Sequence, residues 1–512
     1  MKFLVGVSPR EYQLEILKSC IEKNCLVVLP TGLGKTLIAL MLSIDRLKKF
    51  PGSKILFLAP TKPLAEQHLR YFQKHLTDLF AETILFTGQV KPNERKKIWQ
   101  TAEIIFSTPQ CIANDLKNGL YDLSDVCLLV EDEAHKCLKN YDYTHVVNEY
   151  KKQSQNQRIL GLTASPGSER ARVREICRNL SIEKVELRNR ESEDVKTYLQ
   201  ELELEKIMLD FPENFREIRE HLTRVINKYL DELRSRKLLH TRPTKTELIN
   251  LQKRISGFIA KGNRGFNYLM GASACAQTIK MQHALELLET QTLNGFNKYL
   301  KGLVNDAQKG KSKGVSKLVS KPEFTLMLHK SNEMLKNGIE HPKIEKIVKI
   351  VENDKKENKG MKVIVFTQFR ETAQTISKEI NKRGINSKIF VGQAKKEVGG
   401  LSQKEQKNII DEFSSGEIEV LCATCIGEEG LDIPEVNSVI FYETVPSAIR
   451  TIQRTGRTAR LMKGKLVILL TKDTKDEINY YVSKNREKKM YSAISSIEKE
   501  LKGSQKTIGN YS

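Results

Sequence analysis

The sequence contains no apolar run that approaches the ~20 residues needed to cross a bilayer. Its start also lacks the apolar core and cleavage site of a secretory signal. The nine cysteines form no disulfide framework, because their number is odd and several, such as Cys127 and Cys422, lie inside apolar runs. Cys422 and Cys425 have no second ligand pair nearby, so no zinc site is predicted. These absences predict a cytoplasmic protein with reduced thiols.

Acidic residues are scarce relative to basic ones. Lys and Arg number 85 against 63 for Asp and Glu, which gives a formal net charge of +22 at pH 7. This surplus favours a polyanionic partner such as nucleic acid, although a generally solvated basic surface would have the same composition. The chain of 512 residues is also too long for one hydrophobic core, and we expect two or three domains.

Two series of short runs rich in Val, Ile and Leu are separated by stretches with helical spacing. The first series comprises 25–30, 54–61, 103–109, 126–133 and 158–165. The second comprises 362–369, 387–393, 419–424, 438–443 and 465–471. Such runs are typical of buried parallel strands. The predicted fold class is therefore α/β, with two parallel-sheet domains.

Between the two series the strand pattern gives way to apolar residues at helical spacing. These residues are Phe215, Ile218, Leu222, Val225, Tyr229 and Leu233. We predict domains at 1–194 and 341–495, an all-helical insertion at 195–340 and a linker-like tail at 496–512. The insertion is rich in Lys and Arg, and its stretch 309–317 resembles a mobile basic loop. Phosphate contact and a solvated helix face both remain open.

A glycine-rich loop directly follows the first predicted strand and precedes a helix. The loop consists of Thr31, Gly32, Leu33, Gly34, Lys35 and Thr36. Gly32 and Gly34 let backbone N–H groups approach phosphates, Lys35 supplies positive charge, and the Thr36 hydroxyl can bind Mg²⁺. Leu29 occupies the first glycine position of the usual pattern, so a structural turn is the alternative. The interpretation we favour is an ATP site with Mg²⁺ as cofactor.

Carboxylates stand at the end of a later strand, where α/β folds bind ligands. Asp132 is predicted to hold Mg²⁺, and Glu133 to polarise the attacking water as general base. His135 could couple this cluster to the rest of the site. An acidic turn in solvent is the alternative, and the pairing with the glycine-rich loop argues against it.

The loop, the Asp132–His135 cluster and residues 163–165 resemble motifs I, II and III of superfamily 2 helicases in order and spacing. The resemblance implies two RecA-like domains that close on one ATP. It assigns adenine recognition to Gln13, beside Arg10, and coupling between motifs to His135, Thr163, Ser165 and Gln453. DNA contacts are implied for Pro60, Thr61, Lys62, Thr108, Pro109, Gln110, Gln368, Phe369 and Thr424.

Residues 453–460 resemble motif VI, whose arginines reach across the cleft toward the γ-phosphate. The resemblance implies catalytic roles for Arg457 and Arg460, and nucleotide contacts for Gly430 and Asp432. Ala459 stands where the family usually has Gly, and Thr455 also departs from the usual pattern. Neither change removes a charge.

Longer phrases at 341–347, 426–436, 445–460 and 476–490 resemble archaeal Hef helicases, relatives of the Fanconi anaemia M helicase and of RIG-I-like ATPases. This resemblance implies a motor for forked or branched DNA in repair, associated with the nucleoid, with the insertion in contact with the branch. We expect the chain to be the motor portion of a longer protein, without its XPF-type nuclease.

Two alternatives to this function remain open. One is an RNA-directed ATPase of the RIG-I-like kind, and another is a non-catalytic scaffold for branched DNA whose ATP site only switches its shape. In the tail, Gln505, Ile508 and Tyr511 have the spacing of a sliding-clamp peptide. A disordered tail is the alternative there.

Overall fold

The computed structural model describes residues 3–77, 80–139, 141–241, 243–262, 265–358, 360–392, 400–424, 433–455, 458 and 463–508. Two parallel sheets and a helical bundle make up this part of the chain. The predicted fold class is confirmed. No helix within these ranges is both long enough and apolar enough to span a bilayer.

The first half is built around a seven-stranded sheet in the order β3-β4-β2-β5-β6-β1-β7, with all pairs parallel. Its strands are β1 (Cys25–Val28), β2 (Lys54–Leu58), β3 (Thr83–Phe86), β4 (Ile104–Ser107), β5 (Val126–Asp132), β6 (Ile159–Thr163) and β7 (Lys184–Leu187). Its helices are α1 (Glu11–Glu22), α2 (Lys35–Lys49), α3 (Lys62–His75), α4 (Pro92–Thr101), α5 (Pro109–Lys117), α6 (Asp142–Gln153), α7 (Arg170–Asn179) and α8 (Glu193–Lys196). Apolar helix faces cover both sides of the sheet.

The second half contains a six-stranded parallel sheet in the order β10-β11-β9-β12-β13-β8. Its strands are β8 (Leu202–Leu209), β9 (Val363–Phe366), β10 (Ser387–Phe390), β11 (Val420–Ala423), β12 (Ser438–Phe441) and β13 (Gly464–Thr471). Its helices are α15 (Pro342–Glu357), α16 (Arg370–Asn381), α17 (Gln403–Ser415), α18 (Ala448–Thr455) and α19 (Lys475–Ile508).

Strand β8 corrects the predicted insertion at 195–340. This strand pairs with β13 along its whole length, from Leu202 opposite Gly464 to Leu209 opposite Thr471. It was missed because it is an edge strand with much of its surface exposed, and it therefore lacks the continuous apolar run of an interior strand. The chain thus contributes to the second sheet before it enters the insertion.

Six helices form the insertion. They are α9 (Glu213–Ser235), α10 (Lys245–Ala260), α11 (Phe266–Thr290), α12 (Leu293–Gln308), α13 (Lys313–Val319) and α14 (Pro322–Lys336). The apolar positions predicted on α9 are all buried in the core of the bundle. The predicted mobile loop at 309–317 is wrong from Lys313 onward, because Val315 and Leu318 are buried and hold α13 against the bundle.

Helix α19 corrects the predicted linker-like tail. It continues through residue 508, well beyond the boundary placed at 495. Its residues Met490, Ile494 and Ile497 are buried in the core of the first half, and Glu500 forms ion pairs with Arg170 and Arg174. These apolar residues follow helical spacing, so the burial of one face stabilises the helix.

The eight cysteines within the described ranges are all buried and free, as the sequence predicts. Cys422 lies in β11, where burial raises the pKa of its thiol to about 12. Its neighbour in the sequence pair, Cys425, lies outside the described residues.

We expect Glu286→Gln to destabilise the insertion in a pH-dependent way. Burial alone would raise the pKa of Glu286, but hydrogen bonds from His283 and Lys245 outweigh burial and lower it to about 2. A lowered pKa stabilises the fold fully above the usual value of 4.5, and this stabilisation disappears as pH falls toward 2. The variant should lose about 3 kcal/mol at pH 7 and less at pH 3.

Urea unfolding of both proteins at pH 7 and pH 3 would measure this difference. Glu333→Gln, an exposed position in the same bundle, is the matched control and should change little at either pH. An equal difference between wild type and Glu286→Gln at both pH values would contradict the prediction.

Candidate active site

The glycine-rich loop lies between the end of β1 and the start of α2. Gly34 is the N-cap of α2 and has a φ of 78°, a conformation that favours glycine. A Cβ at this position would also collide with Gln13 Nε2. The backbone N–H groups at the start of α2 are directed at the loop, as in anion-binding helix N-termini. Lys35 Nζ donates to the carbonyl of Leu29 at 2.8 Å, which holds it over the loop.

Motif II lies at the same edge of the sheet, because β5 and β1 are separated only by β6 and all three strands are parallel. Asp132 ends β5, and its Oδ2 lies 2.8 Å from His68 Nε2. The other ring nitrogen of His68, Nδ1, lies 3.3 Å from Thr36 Oγ1. His68 therefore links the two residues that were predicted to bind Mg²⁺.

The residues present fit a Mg²⁺ ion. This ion is usually held by one or two carboxylates together with waters and substrate phosphates. Burial would raise the pKa of Asp132, but His68 and Lys35 lower it overall, which favours the carboxylate form that binds a cation. The nearby Thr31 hydroxyl is buried and makes no hydrogen bond to the described residues, which leaves an oxygen available to a ligand. Thr36 and Asp132 are the residues that would hold the metal.

Glu133 follows Asp132 in a left-handed conformation, with a φ of 53° that is strained for a residue other than glycine. Its Oε2 lies 3.1 Å from His135 Nδ1. The same nitrogen lies 3.2 Å from Thr163 Oγ1 at the end of β6. The Thr163 hydroxyl in turn accepts the backbone N–H of Ser165. Motifs II and III are thus joined by a continuous chain of polar contacts.

The predicted adenine site lies beside the glycine-rich loop. Gln13 Nε2 and the Tyr12 hydroxyl both donate to the carbonyl of Leu33, at 3.1 and 2.8 Å. The Arg10 guanidinium lies 5.2 Å from the ring centroid of Tyr198. Gln13 therefore contacts the loop itself, which would let adenine binding affect the position of the phosphate-binding backbone.

The chain matches three known families in consecutive segments. Residues 10–173 match the DEAD/DEAH box helicases, 214–354 the helical bundle of a putative ATP-dependent RNA helicase, and 342–462 the helicase conserved C-terminal domain. The structure is similar to the Hef helicase domain of Pyrococcus furiosus, with a TM-score of 0.71 and 42% identity over 93% of this chain and 98% of that one. The chain belongs to the Hef helicase family. Its enzyme class is that of the ATP-dependent helicases.

Three curated relatives extend this comparison. A putative ATP-dependent RNA helicase of Methanocaldococcus jannaschii is 37% identical over 94% of this chain. The ATP-dependent DNA helicase mph1 of Sclerotinia sclerotiorum is 34% identical over 95% of it, and the Fanconi anemia group M protein homolog of Mus musculus 31% over 96%. The chain spans 60%, 41% and 26% of the lengths of these relatives, respectively.

The positions predicted to contact a DNA strand in the first half of this Hef-family chain lie at two adjacent helix N-termini. Thr61 is the N-cap of α3 and Thr108 the N-cap of α5. The two helices follow β2 and β4, which are hydrogen-bonded neighbours, so their N-termini lie side by side at one sheet edge. This arrangement suits successive phosphates. The predicted contacts at these ends are Pro60, Thr61, Lys62, Thr108, Pro109 and Gln110.

The corresponding positions of the second half have different surroundings. Gln368 is exposed at the end of β9, and Thr424 is buried after β11. Phe369 packs against the insertion, with its ring centroid 5.9 Å from that of His283. The Phe369 side chain therefore belongs to the junction between the second half and the bundle, and its DNA contact stays a prediction.

Several predicted residues lie outside the described ranges. They are Gly430, Asp432, Arg457, Arg460 and Tyr511. The backbones of Gln453, Gln505 and Ile508 lie in helices α18 and α19, and their side chains are outside the description.

Two residues at the site were missed by sequence reasoning. His68 occupies the buried face of α3 together with Ala65 and Phe72, a pattern that is typical of core packing. Met490 lies on α19, and its Sδ accepts the Ser165 hydroxyl at 2.8 Å although 325 residues separate the two. Neither contact has a local sequence signal.

Proposed function

We propose that this protein is an ATP-driven DNA helicase and translocase that acts on forked or branched DNA during repair, in association with the nucleoid. The convergence of Lys35, Thr36, Asp132 and Glu133 at one sheet edge carries this proposal. The relatives named as ATP-dependent DNA helicases support DNA as the nucleic acid along which the protein moves.

ATP binds with its phosphates against the start of α2 and its adenine beside Gln13. Thr36 and Asp132 would hold a Mg²⁺ ion, which would offset phosphate charge. Glu133 accepts a proton from the attacking water, and Lys35 offsets charge on the transferred phosphoryl group. Arg457 and Arg460 of the second half complete the site when the halves close.

Grip on the strand is mainly through phosphates. The two adjacent helix N-termini of the first half and the positive charge of the chain supply contacts that do not depend on base sequence. Binding should therefore weaken strongly as salt rises. Preference for a branch comes from the insertion. A sliding clamp that binds Gln505, Ile508 and Tyr511 would be a further partner.

The rate of ATP hydrolysis with different nucleic acids tests this function. We expect forked DNA to stimulate hydrolysis more than linear duplex DNA, and double-stranded RNA to have little effect. Lys35→Ala should abolish the stimulated rate because the phosphoryl charge is no longer offset, whereas Lys96→Ala, at an exposed position on α4, should preserve it.

Other outcomes have defined meanings. Full DNA-stimulated hydrolysis by Lys35→Ala would contradict the proposal. Stronger stimulation by double-stranded RNA would instead support an RNA-directed ATPase, the activity that the name of the Methanocaldococcus jannaschii relative suggests.

A further inference from the structure

An exposed aromatic cluster lies at the far end of the insertion, where α10 turns into α11. Phe266 is 73% exposed, the highest value for any large hydrophobic residue in the described part of the chain. Phe258 and Leu269 are 43% and 47% exposed, and the Phe258 and Tyr268 ring centroids are 5.6 Å apart. We call Phe258, Phe266, Tyr268 and Leu269 the aromatic tip.

The surface around the aromatic tip is basic. Arg254 lies four residues before Phe258 and so on the same face of α10, and Lys261 follows as the C-cap of this helix. The Arg236 guanidinium lies 5.7 Å from the ring centroid of Phe266. Exposed Lys237 and Lys253 add further charge to this end. Lys237, Lys253, Arg254 and Lys261 form no ion pair with any described carboxylate, so their charge is available to an anionic partner.

The main chain is accessible at two glycines beside the aromatic tip. Gly262 has a φ of 94°, and a Cβ added at Gly262 or Gly265 would meet no described atom within 4 Å. A flat ligand can therefore approach the rings and the main chain of these two glycines. Apolar rings with uncompensated cations on the same face suit nucleic-acid bases and phosphates better than an apolar protein surface, which would leave these charges buried and unpaired.

The position of the aromatic tip indicates which part of a DNA substrate reaches it. Helix α9 starts four residues after the end of β8 and has 23 residues, so it is about 34 Å long, and Arg236 at its far end contacts Phe266 of the tip. This length is about one turn of duplex DNA. A duplex arm that leaves the two halves would place its branch bases near the tip within one turn.

We infer that the aromatic tip stacks on the unpaired bases at a DNA branch point and so supplies the branch preference of the motor. The inference rests on the proposed function. Stacking of a base on an aromatic side chain depends little on base identity and weakly on salt, unlike phosphate contacts. The flanking cations hold the strands beside the rings.

Binding of a fork that carries 2-aminopurine at its branch, compared with linear duplex, tests the inference in the full chain. We expect Phe266→Ala to weaken fork binding about tenfold and to remove the fluorescence change at the branch. For this variant, the slope of log affinity for the fork against log salt concentration should match that of wild type. Phe266→Trp should restore binding, and Leu326→Ala, at a position 45% exposed on α14, should match wild type.

The charged neighbours give a second measurement. Lys253→Ala with Arg254→Ala should reduce the salt slope by about two, because two phosphate contacts are lost. Since Phe266 is exposed, its replacement leaves the folded core intact, and hydrolysis stimulated by single-stranded DNA should remain at the wild-type rate.

Unchanged fork binding and unchanged branch fluorescence in Phe266→Ala would overturn the inference. A variant that loses only the binding of a partner protein, and keeps its binding of the fork, would overturn it as well. If Phe266→Ala keeps both its ATP hydrolysis stimulated by single-stranded DNA and its preference for forks over linear duplex, only the inferred role of the tip is wrong. If the wild type shows no DNA-stimulated hydrolysis, the proposed function fails and the tip fails with it.

Discussion

Replacement of Glu133 by Gln is expected to leave ATP binding intact and to lower the rate of hydrolysis by about 10²- to 10⁴-fold. The amide keeps the size of the side chain and its distance to His135, but it cannot accept a proton from water. Binding of a fluorescent ATP analogue and steady-state phosphate release, measured on the same preparation, would separate the two effects.

Glu131→Gln is the matched control. Glu131 lies two residues earlier on β5 and is completely buried, and burial raises the pKa of its carboxyl well above the usual value. Burial therefore favours the neutral carboxyl, which an amide resembles, and the substitution should preserve turnover. Normal hydrolysis by Glu133→Gln would favour the non-catalytic scaffold over the motor.

Lys343→Met is expected to destabilise the second half by about 3–5 kcal/mol. Lys343 and Asp476 form an ion pair in which both side chains are fully buried, and the pair joins the start of α15 to the start of α19. Burial raises the pKa of Asp476 although Lys343 opposes this effect. Loss of the lysine would leave the carboxyl buried without its cation.

Urea unfolding measured by circular dichroism would report this loss for the whole chain. The single tryptophan, Trp99, lies in α4 of the first half, so its fluorescence gives a separate transition that should shift less. The double variant Lys343→Met, Asp476→Leu should recover part of the stability, because neither charge is then buried alone. A cost below 1 kcal/mol for the single variant would contradict the prediction.

The sequence predicts the ATP site well because its residues directly follow strands. Parallel strands end at one edge, so the spacing of Lys35, Asp132 and Thr163 along the chain is enough to bring them together. His68 could not be predicted in the same way. It reaches Thr36 and Asp132 from the middle of α3, and only the packing of that helix against the sheet defines its direction.

Sequence reasoning predicted the strands with strong apolar patterns. It missed the elements that are stabilised by contacts with residues far away in the sequence. The interior strands of both sheets have continuous apolar runs, whereas the missed edge strands β3, β7 and β8 are partly exposed. The end of α19 was mistaken for a linker because its composition is polar. Its helical structure depends on contacts of Met490, Ile494 and Ile497 with the first half, and those contacts are more than 300 residues away in sequence.

Among the residues that the structure describes, two connections join the halves by continuous chain or by a packed helix, and they limit how the halves can move. One connection is the chain between β7 and β8, and the other is α19, which starts beside α18 and ends against α7. A body attached at two points retains rotation about the line between them and little free translation. If the protein is the translocase proposed above, each cycle of hydrolysis would turn the second half about a fixed axis, and the distance advanced along DNA would depend on how far the predicted DNA-contact residues lie from that axis.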